Sequence, residues 1–224
     1  MTFSLVARDT ASGAFGIVIS SSSPAVAARC AHARAGVGVV ASQNVTNPAL
    51  GPATLDALAA GADADTALKD VLAQEQFPAY RQVTVVDMHG NTAVHSGPNS
   101  LGIHTQAVGN AAVAAGNLLA AEGVIGELLR GYTDSTATHF EERLLDGLHA
   151  AHAAGGEAGP VHSAGLLVVA DVPWPVTDLR VDHSDDPITA LAELWRLWQP
   201  QKNDYRTRGL DPTAAPSYGV PGDL

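Results

Sequence analysis

Thr2 stands directly behind Met1. If Met1 is trimmed, one residue carries both a hydroxyl and a free α-amine. Such an amine ordinarily titrates at about 7.7–8.0, so a useful fraction is neutral near pH 7 and can take the hydroxyl proton. Threonine with its own amine is a nucleophile–base unit for acyl transfer. Ser4 lies two residues on, on the same side of an extended chain. It is a reserve nucleophile without a built-in base. Arg34, at the entrance to the third strand-like run, is the candidate cation for such a site. It would depress the amine's pKa and favour the basic form, and it could grip a substrate carboxylate in a two-pronged fork. A surface ion pair is its competing use. Ser20 and Ser21 close an apolar run opposite the first, where they could hydrogen-bond the amine or the substrate. Gln43, Asn44 and Asn47 cluster after a third run and offer amide donors for an oxyanion. Asn117 follows Gly116 where a strand hands over to a helix, so helix N-terminal N–H groups are expected beside it.

Metal chemistry has less support. The nine histidines are scattered, and no His-Glu-x-x-His or Cys/His cluster exists. No metal or other cofactor is expected. A metal-assisted hydrolase built on His95, His183 and nearby aspartates is a weaker alternative. His149 and His152, one helical turn apart, read as an exposed face, and Cys30 as a small packing residue.

These groups need a frame. Strand-like runs fall at Phe3–Ala7, Ala14–Ser20, Gly36–Ser42, Gln82–Asp87, Thr92–Ser96, Gln106–Val113, Ser163–Ala170 and Val176–Val181. Helical stretches fall at Ala53–Ala60, Ala64–Gln74 with Asp63 as N-cap, Leu118–Tyr132, Thr138–Ala153 and Ile188–Trp198 after Pro187. Hairpins, then two helices, another hairpin, two more helices and returning strands make a layered α+β plan. Residues 1–199 read as one domain. From Pro200 to Leu224 an extended Pro/Gly-rich tail is expected, free or laid as an arm on its own domain or a neighbouring subunit.

At 224 residues, with 46% hydrophobic and 16% charged residues, the chain has the make-up of a cored globular domain. No apolar run nears the roughly 18 residues that span a bilayer. A formal charge of −11 disfavours nucleic-acid or anionic-membrane binding. The single cysteine and the lack of a secretory pattern suggest a cytoplasmic protein. The expected partners are a small-molecule substrate, which can be anionic if Arg34 faces it, and further copies of the chain in a homo-oligomer.

Several stretches, in order, resemble one family. They are Thr2-Phe3-Ser4-Leu5-Val6-Ala7-Arg8-Asp9, the run from Ala33 to Gln43, Asn47-Pro48, Gly51-Pro52 and Tyr80-Arg81-Gln82-Val83 with Asp87 and Gly90. His95-Ser96-Gly97, Gly116-Asn117-Leu118-Leu119-Ala120, Ser163 to Val169, and Asp178-Leu179-Arg180-Val181-Asp182 with Asp186-Pro187-Ile188 continue the match. Over about 200 residues the chain resembles the N-terminal nucleophile (Ntn) hydrolase-like proteins of domain-of-unknown-function family 1028. The resemblance implies a four-layer αββα sandwich, two antiparallel sheets between helical layers, and hydrolysis of a small-molecule amide-type C–N bond. It leaves the amide, ureido or lactam substrate open. Arg81, Arg180 and Asp182 fall on matching positions, and Arg81 is a candidate substrate contact. Where many members resemble Ala-Ser-Lys after the second strand, this chain has Ser20-Ser21-Ser22-Ser23, with no lysine. The competing expectation is a non-catalytic small-molecule binding or scaffolding protein on the same fold.

Overall fold

A computed structural model describes residues 2–220. Met1, and residues 221–224 of the expected tail, lie outside the described residues. The fold is mixed α/β, with two antiparallel sheets and, among the described residues, seven α-helices.

The strands are β1 (Thr2–Arg8), β2 (Phe15–Ser21), β3 (Ala31–Arg34), β4 (Gly38–Asn44), β5 (Arg81–Asp87), β6 (Thr92–Ser96), β7 (Thr105–Gly109), β8 (Ala112–Asn117), β9 (Ser163–Val169) and β10 (Thr177–Val181). The helices are α1 (Val26–Cys30), α2 (Leu50–Ala59), α3 (Ala64–Gln74), α4 (Val124–Thr133), α5 (Phe140–Ala153), α6 (Pro187–Trp198) and α7 (Lys202–Leu210). One sheet runs β10-β9-β2-β1-β8-β7, the other β3-β4-β5-β6. β1 is therefore an inner strand, held by β2 on one side and β8 on the other.

Side chains of a strand alternate between faces, and β1 uses both. Phe3, Leu5 and Ala7 pack on one face among residues of α4, α5 and α6, including Leu128, Leu144, Leu148 and Leu191. Val6 turns the other way, and with Phe15 and Ile17 it meets Val39, Ala41 and Val86 of the second sheet. Val40, Val83 and Val85 pack on α2 and α3 through Leu50, Leu55, Leu58 and Leu68. A strand covered on both faces must be apolar almost throughout, which is why Phe3–Ala7 shows little alternation.

Four expectations change. Gln106–Val113 is a hairpin of β7 and β8, because Asn110-Ala111 forms a two-residue turn with Ala111 left-handed at φ 50. Arg34 does not enter the third expected strand but ends a short strand of its own, β3, ahead of a turn at Gly36. The helix expected from Leu118 begins only at Val124. Leu118 is left-handed at φ 51, and backbone bonds from Leu118 N–H to Leu101 O and from Leu119 N–H to Ile103 O hold the segment as a loop. The expected extended tail contains a helix, α7, because Pro and Gly are dense only from Pro212 on, Gly209 alone falling within residues 202–210, and that stretch has anchors on the domain. Lys202 Nζ donates to Glu141 at 2.6 Å, Tyr205 stacks on Trp198 at 5.1 Å between ring centres, and Arg206 pairs with Asp171.

No helix among the described residues is long and apolar enough to cross a membrane.

The two anchoring ion pairs differ in burial. Glu141 is 3% exposed at its side chain, whereas Asp171 is 61% exposed. Lys202→Ala is expected to cost about 1.5–3 kcal/mol by stranding a buried carboxylate, and Arg206→Ala less than about 1 kcal/mol. Denaturant unfolding of the two variants checks the order.

Candidate functional site

β1 pairs Phe3 with Ser20 of β2, and Thr2 with Asn117 of β8. Thr2, Ser21 and Asn117 thus meet at the amino-terminal head of β1. Thr2 is 5% exposed, and its Oγ donates to Ser21 Oγ at 3.3 Å. Ser21 Oγ also accepts the Ser23 N–H at 3.1 Å. Ser20 sits one residue away in register, and its Oγ donates to Ser163 O instead. Of the two serines, Ser21 contacts Thr2.

Behind Thr2 lies a buried polar chain between the sheets. Ser4 Oγ donates to Gln43 Oε1 at 2.7 Å, and Gln43 Nε2 donates to Gln82 Oε1 at 2.8 Å. Asn117 Nδ2 donates to the same Gln82 oxygen at 3.1 Å. Gln43 Nε2 and Gln82 Nε2 also reach the carbonyls of Ala115 and Gly116 on β8. All four side chains are fully buried. Ser4 is thus tied into the core, and Gln43 is a cross-sheet tie with both its amide atoms engaged. Asn117 Oδ1, buried, has no hydrogen-bond partner.

Asn44, Asn47 and Arg81 are also engaged. Asn44, left-handed at φ 72, donates to Tyr80 O at 2.6 Å and accepts from Leu101 N–H. Asn47 Nδ2 donates to Glu75 at 2.6 Å. Arg81 pairs with Glu75 at 2.9 Å and donates to Val45 O. Glu75 titrates below the usual carboxylate range, because its bonds from Asn47 and Arg81 outweigh burial, the largest single influence and one that raises it.

Arg34 is not brought to Thr2. It lies opposite Gly38, five residues along β4 from Gln43, or about 17 Å at strand spacing. There it forms a half-exposed ion pair with Asp56 at 2.7 Å. The helix N-terminus expected beside Asn117 is likewise not there, since α4 begins seven residues on. His95 Nε2 lies 2.8 Å from Pro78 O, while His183 stacks on His162 at 5.3 Å. Among the described residues no group of three or more His, Cys, Asp or Glu gathers to hold a metal.

One acid was missed. Glu157, 4% exposed, accepts the Ser22 N–H at 3.1 and 3.2 Å, and its backbone bridges to Leu119. The turn that returns it needs Gly155 and Gly156, at φ 112 and 59, both values that favour glycine. The available signal was a single acid among small residues, Ala153-Ala154-Gly155-Gly156-Glu157-Ala158-Gly159-Pro160, just before a strand. Burial pushes the Glu157 carboxyl up to about 7, against the opposing pull of the chain's amino-terminal charge, the Ser22 hydrogen bonds and His162.

Two cavities among the described residues lie away from Thr2. One of about 550 Å³ is lined by Leu50, Asp56, Val71 and Glu75 among others, and one of about 320 Å³ by Asp9, His139, Lys202 and Arg206 among others.

A two-sheet α/β fold with a threonine, a serine, an amide and a buried acid at one strand head is the class this geometry defines. The model of the family of unknown function DUF1028 matches residues 2–191, and the chain belongs to that family. The crystal structure of protein SPO2555 from Silicibacter pomeroyi, described under the same family, is 31% identical to this chain. The match covers 91% of this chain and 89% of that one, with a TM-score of 0.83. The Anbu (ancestral beta-subunit) structure from Yersinia bercovieri is 10% identical over 89% of this chain and 95% of its own, with a TM-score of 0.39. That likeness is too slight to bear on fold or activity. No curated protein matches the sequence.

Glu157 sets a pH dependence of stability. Its folded pKa lies above the usual 4.5, so the folded state binds its proton more tightly. The stability this proton confers is complete below about pH 4.5 and is lost as pH rises through about 7. His162, with His183 and Asp185 beside it, and His152 next to Gly156 stand nearby in parent and variant alike. In a chain extended ahead of Thr2, Glu157→Gln should therefore gain about 2–3 kcal/mol over the parent between pH 4.5 and 8. Urea melts across that range check it.

Proposed function

We propose that this protein hydrolyses an amide-type C–N bond of a small molecule, with Thr2 as an N-terminal nucleophile exposed by removal of Met1. The layering of α4–α6, the two sheets and α2–α3 supports a four-layer αββα sandwich of the Ntn type. The observation that carries the reading is the position of Thr2. It heads an inner strand, with its hydroxyl against Ser21 and a buried acid just beyond.

The chemistry balances on one residue. Thr2 Oγ attacks the substrate carbonyl while its proton passes to the α-nitrogen. Collapse of the tetrahedral intermediate breaks the C–N bond, and the same proton goes to the leaving nitrogen. Water then attacks the ester, giving its proton back through the amine as Thr2 Oγ leaves. Arg34 and Arg81 are both ion-paired, so the argument for an anionic substrate loses its basis.

A second reading has its own support. Thr2 is nearly buried, and the amides around it are largely committed to the core. A non-catalytic binding or scaffolding protein of this fold would also keep those features.

Intact mass and kinetics together separate the two. Active protein is expected to begin at Thr2. In a screen of linear amides, ureido compounds and lactams, Thr2→Ala should fold normally and lose about 10³-fold or more in turnover, while Thr2→Ser keeps part of it. Full turnover by protein retaining Met1, or by Thr2→Ala, would contradict the mechanism.

A further inference from the structure

The neighbours of β1 run on past its head. On one flank β2 ends at Ser21 and the chain continues to Ser22. On the other, β8 ends at Asn117 and continues to Leu118 and Leu119. The turn at 155–158 joins the two flanks. Glu157 bridges to Leu119 through its backbone and takes the Ser22 N–H on its carboxylate, and Ala158 N–H donates to Leu118 O at 2.9 Å. A residue tied to both flanks just beyond Thr2 lies across the line of β1, on the side to which the α-nitrogen of Thr2 points.

A second acceptor is close by. Asn117 is the register partner of Thr2 and is fully buried. Its Nδ2 is bound to Gln82, while Oδ1 has no partner. A carboxylate has about four acceptor positions, so the Ser22 contact leaves Glu157 room for another donor. An ammonium group supplies three donors to such acceptors.

We propose that Glu157 and the Asn117 carboxamide oxygen form the seat of the Thr2 α-amine, with Glu157 as the positioning residue. The proposal rests on the reading of Thr2 as a terminal nucleophile. Glu157 aims the amine at the Thr2 hydroxyl and holds the ammonium that forms when the hydroxyl gives up its proton. Glu157 acts as the carboxylate partner of that ammonium and takes no proton from the hydroxyl itself. Its hydrogen bond to the nitrogen becomes charge-assisted as the Thr2 C–O bond forms and relaxes when the proton leaves with the departing amine. An acid that holds a catalytic imidazolium works by the same logic.

Cyanate tests this without a substrate, because it carbamylates only neutral amines. The rate of carbamylation of the N-terminal peptide against pH, read by mass spectrometry, gives the apparent pKa of the α-amine. His162, His183, His152 and Asp185 flank the site in parent and variant alike, so their influence cancels. On protein shown by intact mass to begin at Thr2, the parent amine should titrate above that of the free peptide Thr-Phe-Ser-Leu. Glu157→Gln should lower it by about 1–3 units, and Glu157→Asp should fall between. The same apparent pKa in folded parent and folded Glu157→Gln overturns the seat and leaves the nucleophile standing. If Glu157→Gln does not fold, the parent decides alone, and an amine no more basic than the peptide's overturns the proposal. Full turnover by Met1-bearing protein overturns both readings, and intact mass shows it before any titration.

Discussion

The buried hydrogen-bond chain from Ser4 through Gln43 and Gln82 to Asn117 is the interaction on which the arrangement of this molecule depends. It crosses from β1 to β4, from β4 to β5, and back from β5 to β8. The apolar side chains on the facing sheets could slide past one another at modest cost, but a buried amide that loses its partner cannot. The chain therefore fixes how the two sheets are placed. In doing so it fixes Asn117 beside Thr2, since Gln82 can accept from Asn117 only in this register. Gln43 and Gln82 also donate to carbonyls of β8, so the strand opposite Thr2 is tied to the second sheet through backbone as well as side chain.

Against that rigid frame, the head of β1 brings together two buried acceptors that are short of donors. Glu157 is held in a nearly dry position with its carboxyl pushed up to about 7, chiefly by burial, and Asn117 Oδ1 lacks a donor. Elsewhere the buried acids have strong partners. Glu75 has Arg81 and Asn47, and Glu141 has Lys202 and Thr177. Acceptors without a full complement of donors, gathered at a strand terminus, suit a cation that arrives there. Perturbed acids of this kind cluster at functional sites.

Much of the frame was legible in the sequence because it rests on local patterns. The apolar runs gave most of the strands, and Asp63 and Asp186 cap α3 and α6, with Pro187 opening the latter. The failures were of two kinds. Turns without glycine, at Ala111 and Leu118, carry no compositional mark, so one hairpin read as a strand and one loop as a helix. Helix α7 was hidden because its anchors, Glu141, Trp198 and Asp171, are distant in sequence or belong to other elements. In the site, Thr2, Ser21 and Asn117 were named from sequence and do come together. Arg34 was placed at the entrance to the third expected strand by its distance along the chain from Thr2, and a strand's far end is indistinguishable from its near end until its partners are known. Glu157 could not be found by spacing, because it reaches the site through a return of the chain rather than along a strand.

The most direct measurement is the site of covalent capture by a reactive β-lactone, read by peptide mass spectrometry on protein beginning at Thr2. Ring opening by a nucleophilic hydroxyl leaves a stable acyl ester on the residue that attacked. The account predicts an adduct on Thr2, formed only when Met1 is absent. An adduct on Ser4, Ser21, Cys30 or another side chain, or equal capture on Thr2 with Met1 in place, would contradict it.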